Sequence, residues 1–223
     1  MPLWKPETIW KDEDVFIIGG GASLKNFDFN LLKSKHTIGC NTAFRLGVEI
    51  CKICFFGDMK WFKKYKDELA NYQGTVITNC LQLYNSKIPW LYYVKREAKG
   101  LHTDKIGWNG NSGASAINLA LLLGAKTVYL LGFDMCLSGG RANWYENPFD
   151  KPNEAIYRLF LKRFKDVAKD LDVKFPDRQI INITKNSALD MFPKVDLDEF
   201  FELGKCYEEN DIVDTNDFAN DGM

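Results

Sequence analysis

The chain has 223 residues, 46% hydrophobic and 26% charged, a composition that can bury the full core of one α/β unit. Its net charge of −1 excludes the global basic field of a nucleic-acid binder or of a protein drawn to a membrane surface. No apolar run approaches the roughly 18 residues of a membrane span, and the polar start MPLWKPETIWKDED does not read as a signal peptide, so a cytoplasmic location is the default expectation.

The first element is a short apolar run at 15–18, VFII, with the β-branched content of a buried strand. It runs into Gly19, Gly20 and Gly21 and then Ala22-Ser23-Leu24, toward a helix start. A strand, a glycine turn and a helix start is how α/β proteins hold a phosphate. Without Cβ atoms the backbone approaches the anion closely and presents its N–H groups. A second strand at 37–40 ends on Asn41 and is expected to lie beside the first. Two familiar motifs are excluded here. The dinucleotide fingerprint needs a third glycine where Leu24 stands and an acid where Asn41 stands, and the Walker phosphate loop needs a lysine that is absent.

A turn of helix is expected at 43–47 and a third strand at 50–56, ending at Gly57-Asp58. Apolar positions 61, 62, 65, 69 and 72 give a helical spacing, and residues 75–78 form a strand. Residues 80–107 are irregular and aromatic-rich, read as an insertion or lid carrying a strand at 90–94. The segment WNGNSGASAINLALLLGAKTVYLLGFD predicts a helix starting at Asn111 or Ser112, stopped by Gly124, then a buried strand at 127–131 ending at Gly132-Phe133-Asp134. A loop at 137–152, a long amphipathic helix at 154–171, a strand at 179–183 and a short helix at 197–203 complete the body. Strands alternating with helices make this a doubly wound, mostly parallel sheet with helices on both faces. The domain is taken as 1–206, with 207–223 an acidic tail that has no Lys or Arg.

The six cysteines, the CxxC pair Cys51 and Cys54 among them, read as reduced core thiols, with metal binding the lesser alternative, since no second pair or His cluster accompanies them. Ligands of open α/β sheets bind outside the carboxyl ends of the strands. That rule gathers Gly19, Gly20, Gly21, Ser23, Asn41, Gly132, Asp58 and Asp134, faced by Asn109, Asn111, Ser112 and Gly113 at the helix start. Amides, hydroxyls and backbone N–H groups suit nucleotide phosphates, ribose and base. Asp58 and Asp134 are either turn caps or ligands of Mg²⁺ held with substrate phosphates, and no cofactor other than this Mg²⁺ option is named by the pattern. Trp108 and Trp144 are either stacking platforms for a base or ordinary core aromatics. With His36 at a strand start and His102 in the irregular segment, a hydrolase triad has little support.

The order of these motifs, FIIGGGASLKNFDFNLL, then Cys40-Asn41, then NSGASAINLALLLGAKTVYLLGFDM, resembles phage-encoded DUF115 or MptE-like proteins. These are similar in turn to bacterial sialyltransferases that use CMP-sialic acid, and to an archaeal 6-hydroxymethylpterin diphosphokinase. The resemblance covers roughly residues 14–192 and implies a single Rossmann-like domain. It implies that Gly19, Gly21 and Ser23 sit at the phosphates and that Asn41 contacts the nucleotide. Ser112 and Gly113 would approach from the helix start, with Gly132 and Asp134 flanking. The general-base His that the sialyltransferases carry after Gly-x-Asp has no counterpart in GGRANWYENPF, which leaves Asp134 or Asp58 as the candidate base. The expected function is nucleotide-dependent transfer, with glycosyl transfer from a nucleotide sugar to a small-molecule or glycan acceptor favoured. The alternatives are a Mg²⁺-dependent ATP diphosphokinase and a non-catalytic nucleotide-binding phage protein; an oligomer is compatible with all three.

Overall fold

The structure, a computed structural model, describes residues 4–147, 149 and 153–202. The acidic stretch 207–223, Cys206 and the last residue of the expected 197–203 helix lie outside the described residues. Seven strands form one parallel sheet: β1 Asp14–Ile18, β2 His36–Cys40, β3 Ile53–Phe56, β4 Thr75–Thr78, β5 Leu91–Tyr93, β8 Thr127–Leu131 and β9 Gln179–Asn182. A short parallel pair, β6 Arg96–Glu97 and β7 Ile106–Gly107, stands apart from it. The order is β5-β4-β3-β2-β1-β8-β9, with Ile17 in register between Ile38 and Leu130.

Because the strands are buried on both faces, they read as continuous apolar runs, and alternate residues divide between two cores. Val15, Ile17, Ile38, Phe55, Ile77 and Leu130 pack against helix α2, Ser112–Leu122, and against Phe164 and Val167 of helix α3, Glu154–Lys174. On the opposite face, Cys54, Phe56 and Val76 meet Trp61, Phe62, Tyr65 and Leu69 of helix α1, Met59–Ala70. Phe16, Ile18 and Leu131 meet Leu24, Leu32 and Leu197. Helix α2 is buried from Ala114 to Leu121, which explains its apolar, small-residue sequence: it has no polar face because no face meets water.

The structure revises several boundaries. The glycine turn leads into a 3₁₀ turn, Ala22–Asn26, and a second one, Phe29–Leu32, where the sequence suggested a helix start. Ser23 is tied to Asp134 just past the end of β8, and Asp28 accepts from Asn30 N–H, so the chain is re-anchored before an α-helical turn can propagate. Helix α1 begins earlier than its apolar pattern, at Met59, because Asp58 caps it by accepting from Trp61 N–H at 2.6 Å. Helix α3 runs on to Lys174. Segment 80–107 supplies the edge strand β5 and the β6–β7 pair. Buried Asn118 of α2 holds it: Oδ1 accepts from His102 and Gly107 N–H, both at 2.9 Å, and Nδ2 donates to His102 O at 2.8 Å.

Candidate functional site

From β1 the chain builds outward through β2 to β5, then returns to add β8 and β9 on the other side of β1. The order therefore reverses between β1 and β8, and the loops leaving those two strands diverge to open a crevice. A cleft of about 390 Å³ lies there, lined by Gly19, Gly20, Gly21, Asn41, Asp58 and the start of α2 among others.

The glycine turn is shaped by its neighbour. Gly19 N–H donates to Leu131 O at 2.7 Å and Gly21 N–H to Gly132 O at 2.8 Å, so the turn prolongs the β1–β8 ladder. A Cβ on Gly19 would stand 2.5 Å from Gly132 O, and one on Gly21 would collide with the Asp134 carboxylate. These two glycines are required by strand-end packing. Of the three glycine N–H groups, only that of Gly20 is without a protein acceptor among the described residues. Trp144 closes the turn from outside, its backbone N–H on Gly20 O and its indole N–H on Gly19 O, both at 3.1 Å.

Facing the turn is the N-terminus of α2. Asn111 caps it, its Oδ1 accepting from Ala114 N–H at 3.0 Å while its carbonyl accepts from Ser115 N–H at 3.1 Å. The N–H groups of Ser112 and Gly113, both cleft-lining, have no intrahelical acceptor and carry the positive end of the helix dipole. Asn41 follows β2 and opens a 3₁₀ turn in the left-handed region, φ 54°, a conformation Asn tolerates better than most residues, and its Oδ1 lies 3.5 Å from Ser112 Oγ. Met135, also lining the cleft, is held at φ 52°, a strained backbone for an unbranched bulky residue.

The two acids differ sharply. Asp134 is 3% exposed, and both its oxygens are engaged by Ser23: Oδ2 by the backbone N–H at 2.8 Å and Oδ1 by the hydroxyl at 2.6 Å. Desolvation pushes its pKa above the ordinary carboxylate value and outweighs the opposing Ser23 hydrogen bonds. Asp58 is exposed at the cleft edge while capping α1.

Not every predicted residue faces the cleft. Ser23 turns to Asp134, and Asn109 is fully buried, bridging Gly100 N–H and the carbonyls of Gly100 and Gly107. Conversely, Asn143, Tyr145 and Asn147 of the 137–152 loop and Ile156, Tyr157 and Phe160 of α3 line the cleft without having been singled out. The available signal was the length of that loop, placed directly after a strand end. Also unforeseen is Asn79, just past β4, whose buried Oδ1 has no partner among the described residues and lies 3.0 Å from where a Gly57 Cβ would be. No His lines the cleft: His36 stacks on Trp10, and His102 bonds to Asn118 and Lys99 O.

The CxxC thiols are core groups. Cys51 and Cys54 are wholly buried, and burial raises both, Cys51 to about 11 and Cys54 well above its usual value, as it also raises nearby Cys40. Among the described residues no group of three or more His, Cys, Asp or Glu is arranged to hold a metal, and no helix is long and apolar enough to cross a membrane.

No protein-family model matches the chain, and no curated protein matches it in sequence. Its fold is similar to that of the sialyltransferase CstII from Campylobacter jejuni, solved in complex with a substrate analogue, cytidine-5'-monophosphate. That likeness has a TM-score of 0.54 and 16% identity, covering 83% of this chain and 85% of the other. It is also similar to the MAf glycosyltransferase from Magnetospirillum magneticum AMB-1, with a TM-score of 0.61 and 12% identity. There it covers 94% of this chain but only 38% of the larger protein. At these identities the likeness establishes a shared α/β fold.

Proposed function

We propose that the protein is a nucleotide-sugar-dependent glycosyltransferase whose donor phosphate lies between Gly20 and the start of α2. The observation that carries this reading is the convergence, at the switch point of the sheet, of a glycine turn and the unpaired Ser112 and Gly113 N–H groups on one cleft. Fold likeness to two glycosyltransferases, one bound to cytidine-5'-monophosphate, supports it and makes CMP the first ligand to try. In the transfer, an acceptor oxygen attacks the anomeric carbon and the bond from that carbon to the nucleotide phosphate oxygen breaks. The phosphate leaves with its charge stabilised by the helix start. Asp58 takes the acceptor proton, since it is exposed at the cleft, whereas Asp134 lines the cleft nearly buried with both oxygens engaged by Ser23. On the resemblance of its motif order, the proposal extends to kinship with phage-encoded DUF115 or MptE-like proteins acting in a host cytoplasm.

A second reading, nucleotide binding without transfer, is favoured by one observation: no His lines the cleft. The ATP-dependent diphosphokinase reading has no such support: both structural neighbours are glycosyltransferases, and among the described residues no group of three or more His, Cys, Asp or Glu is arranged to hold a metal. Thermal-shift titration with CMP, UDP, GDP, ATP and their sugars, with and without Mg²⁺, separates the readings. Stabilisation by a nucleoside mono- or diphosphate without metal, with slow hydrolysis of the matching nucleotide sugar, is expected. Binding without turnover on any acceptor supports the second reading. Stabilisation by ATP only with Mg²⁺ would restore the kinase, and no response to any nucleotide would overturn all three.

A further inference from the structure

Beside the cleft, outside its lining, two arginines share one aromatic face. Trp108 is 38% exposed, with the Arg96 guanidinium 4.6 Å and the Arg163 guanidinium 5.8 Å from its ring centroid. Both arginines are half-buried, and among the described residues neither makes an ion pair with a carboxylate or a hydrogen bond, although Arg96 stands near Tyr93 and Cys80. The acids nearby in sequence are already taken, Glu97 by Lys105 at 3.2 Å and Asp166 by Lys99 at 3.5 Å. Stacking on an aromatic face orients a guanidinium but leaves its five N–H donors unanswered, and partly desolvated donors without acceptors are costly.

The placement connects this cluster to the cleft. Arg163 Nη1 fills the space where a side chain on cleft-lining Gly110 would stand, and Gly110 has φ 60°. Trp108 Nε1 lies 3.9 Å from the Cβ position of Gly57, next to Asp58 on the cleft edge. Trp108 is fixed there by its own backbone, N–H to Glu97 O at 2.9 Å and carbonyl to Ser115 Oγ at 2.9 Å. Two forked donors stacked on a ring that reaches the Gly57-Asp58 strand end fit a carboxylate or phosphate better than a neutral hydroxyl.

We propose that Arg96, Trp108 and Arg163 form an acceptor subsite that takes the anionic group of an acidic sugar, either a uronic-acid carboxylate or a sugar phosphate, and presents a hydroxyl of that sugar to Asp58. This rests on the glycosyltransferase reading for the word acceptor, but the binding can be tested apart from it. The Trp108 indole N–H resonance, assigned with Trp108→Phe, is followed by NMR during titration of CMP-saturated protein. The probes are methyl β-glucuronide, glucose 6-phosphate and neutral methyl β-glucoside. The expected result is a saturable shift with one or both charged sugars and none with the glucoside. The two charged probes tell carboxylate from phosphate. The double variant Arg96→Gln/Arg163→Gln should bind at least roughly tenfold more weakly, as loss of charge-assisted hydrogen bonds predicts. If that variant does not fold, Arg96→Lys/Arg163→Lys replaces it and should retain charge selectivity with weaker binding. Equal response to the glucoside, unchanged affinity in a folded Gln variant, or a response that inorganic phosphate alone reproduces would overturn the subsite. So would its displacement by CMP, which would assign the arginines to the donor. A wild-type protein that binds charged sugars but no nucleotide would instead sink the transferase reading and leave anion capture standing.

Discussion

Asp134 can serve the cleft in two ways, as a bracket for the glycine turn or as a group acting on substrate, and replacing it separates them. Asp134→Ala leaves the Ser23 N–H and hydroxyl without the carboxylate that now accepts from both, at 2.8 and 2.6 Å. Hydrogen bonds to charged groups contribute about 1.5–3 kcal/mol each, and removing an ion whose burial is unfavourable offsets part of that, so a net loss of about 2–4 kcal/mol is expected. For a chain of this size that corresponds to a fall in Tm of roughly 5–15 °C. Asp134→Asn keeps the shape: its carbonyl can accept from the Ser23 N–H and its amide can donate to a re-oriented hydroxyl, so about 1 kcal/mol is lost. The two variants also differ in pH dependence from wild type. Desolvation raises the folded-state pKa of Asp134 above its ordinary 3.8, so between those two values the native state holds the extra proton. Wild-type stability from this group is therefore greatest at acid pH, falls as pH rises through that interval, and is flat above it. The deficit of Asp134→Asn should be larger below about pH 4 than near pH 7. Thermal unfolding followed by circular dichroism at several pH values, with CMP binding by calorimetry, measures all of this. An Asp134→Ala protein with Tm within about one degree of wild type would refute the bracket. So would an Asp134→Asn protein that folds and binds nucleotide normally yet transfers nothing, which would make Asp134 a group acting at the reacting atoms.

Gly21→Ala should abolish nucleotide binding and lower stability by about 1–3 kcal/mol or more, since its Cβ meets the Asp134 carboxylate and stands 2.6 Å from Gly132 O. Gly20→Ala should be milder in unfolding assays, because its Cβ meets only the movable ends of Asn143, at 2.7 Å, and Tyr145, at 3.4 Å. Asn118→Ala strips three hydrogen bonds, one buried and two partly buried, from His102 and Gly107 and should cost about 3 kcal/mol in urea denaturation, with faster proteolysis there. Asn111→Ala removes the α2 cap, for about 1 kcal/mol of stability, and should weaken nucleotide affinity in calorimetry because the helix start that faces the cleft frays. Arg45→Met breaks the exposed Arg45–Glu68 pair and should change stability by less than about 1 kcal/mol; a larger loss would mean that the pair, or the Arg45 stack on Tyr65, is a structural element of the α1 face.

Much of the fold was legible because its causes are local in sequence. Apolar runs such as 15–18 and 127–131 are long enough for strands and too short for helices, and their lack of alternation says that both faces are covered. The spacing of Trp61, Phe62, Tyr65 and Leu69, and the Asn111 cap with Gly124 at φ 100°, mark helices by the residues that must face the sheet or end the ladder. The cleft's position followed from the rule that strand ends diverge where the order reverses. What sequence left open was direction and partnership over long separations. Nothing local to Ser23 says that its hydroxyl belongs to a carboxylate 111 residues away, or that Gly19 and Gly21 are small because a neighbouring strand end fills the space. The start of α3 and the 142–147 loop reach the cleft only through packing, and Arg96, Trp108 and Arg163 come from three separate segments. Backbone periodicity and capping act within a few residues, so the sequence by itself determined the elements and the strand-end rim. Side-chain pairing acts through space, so only the tertiary structure decided which polar groups brace that rim and which remain unpaired within it.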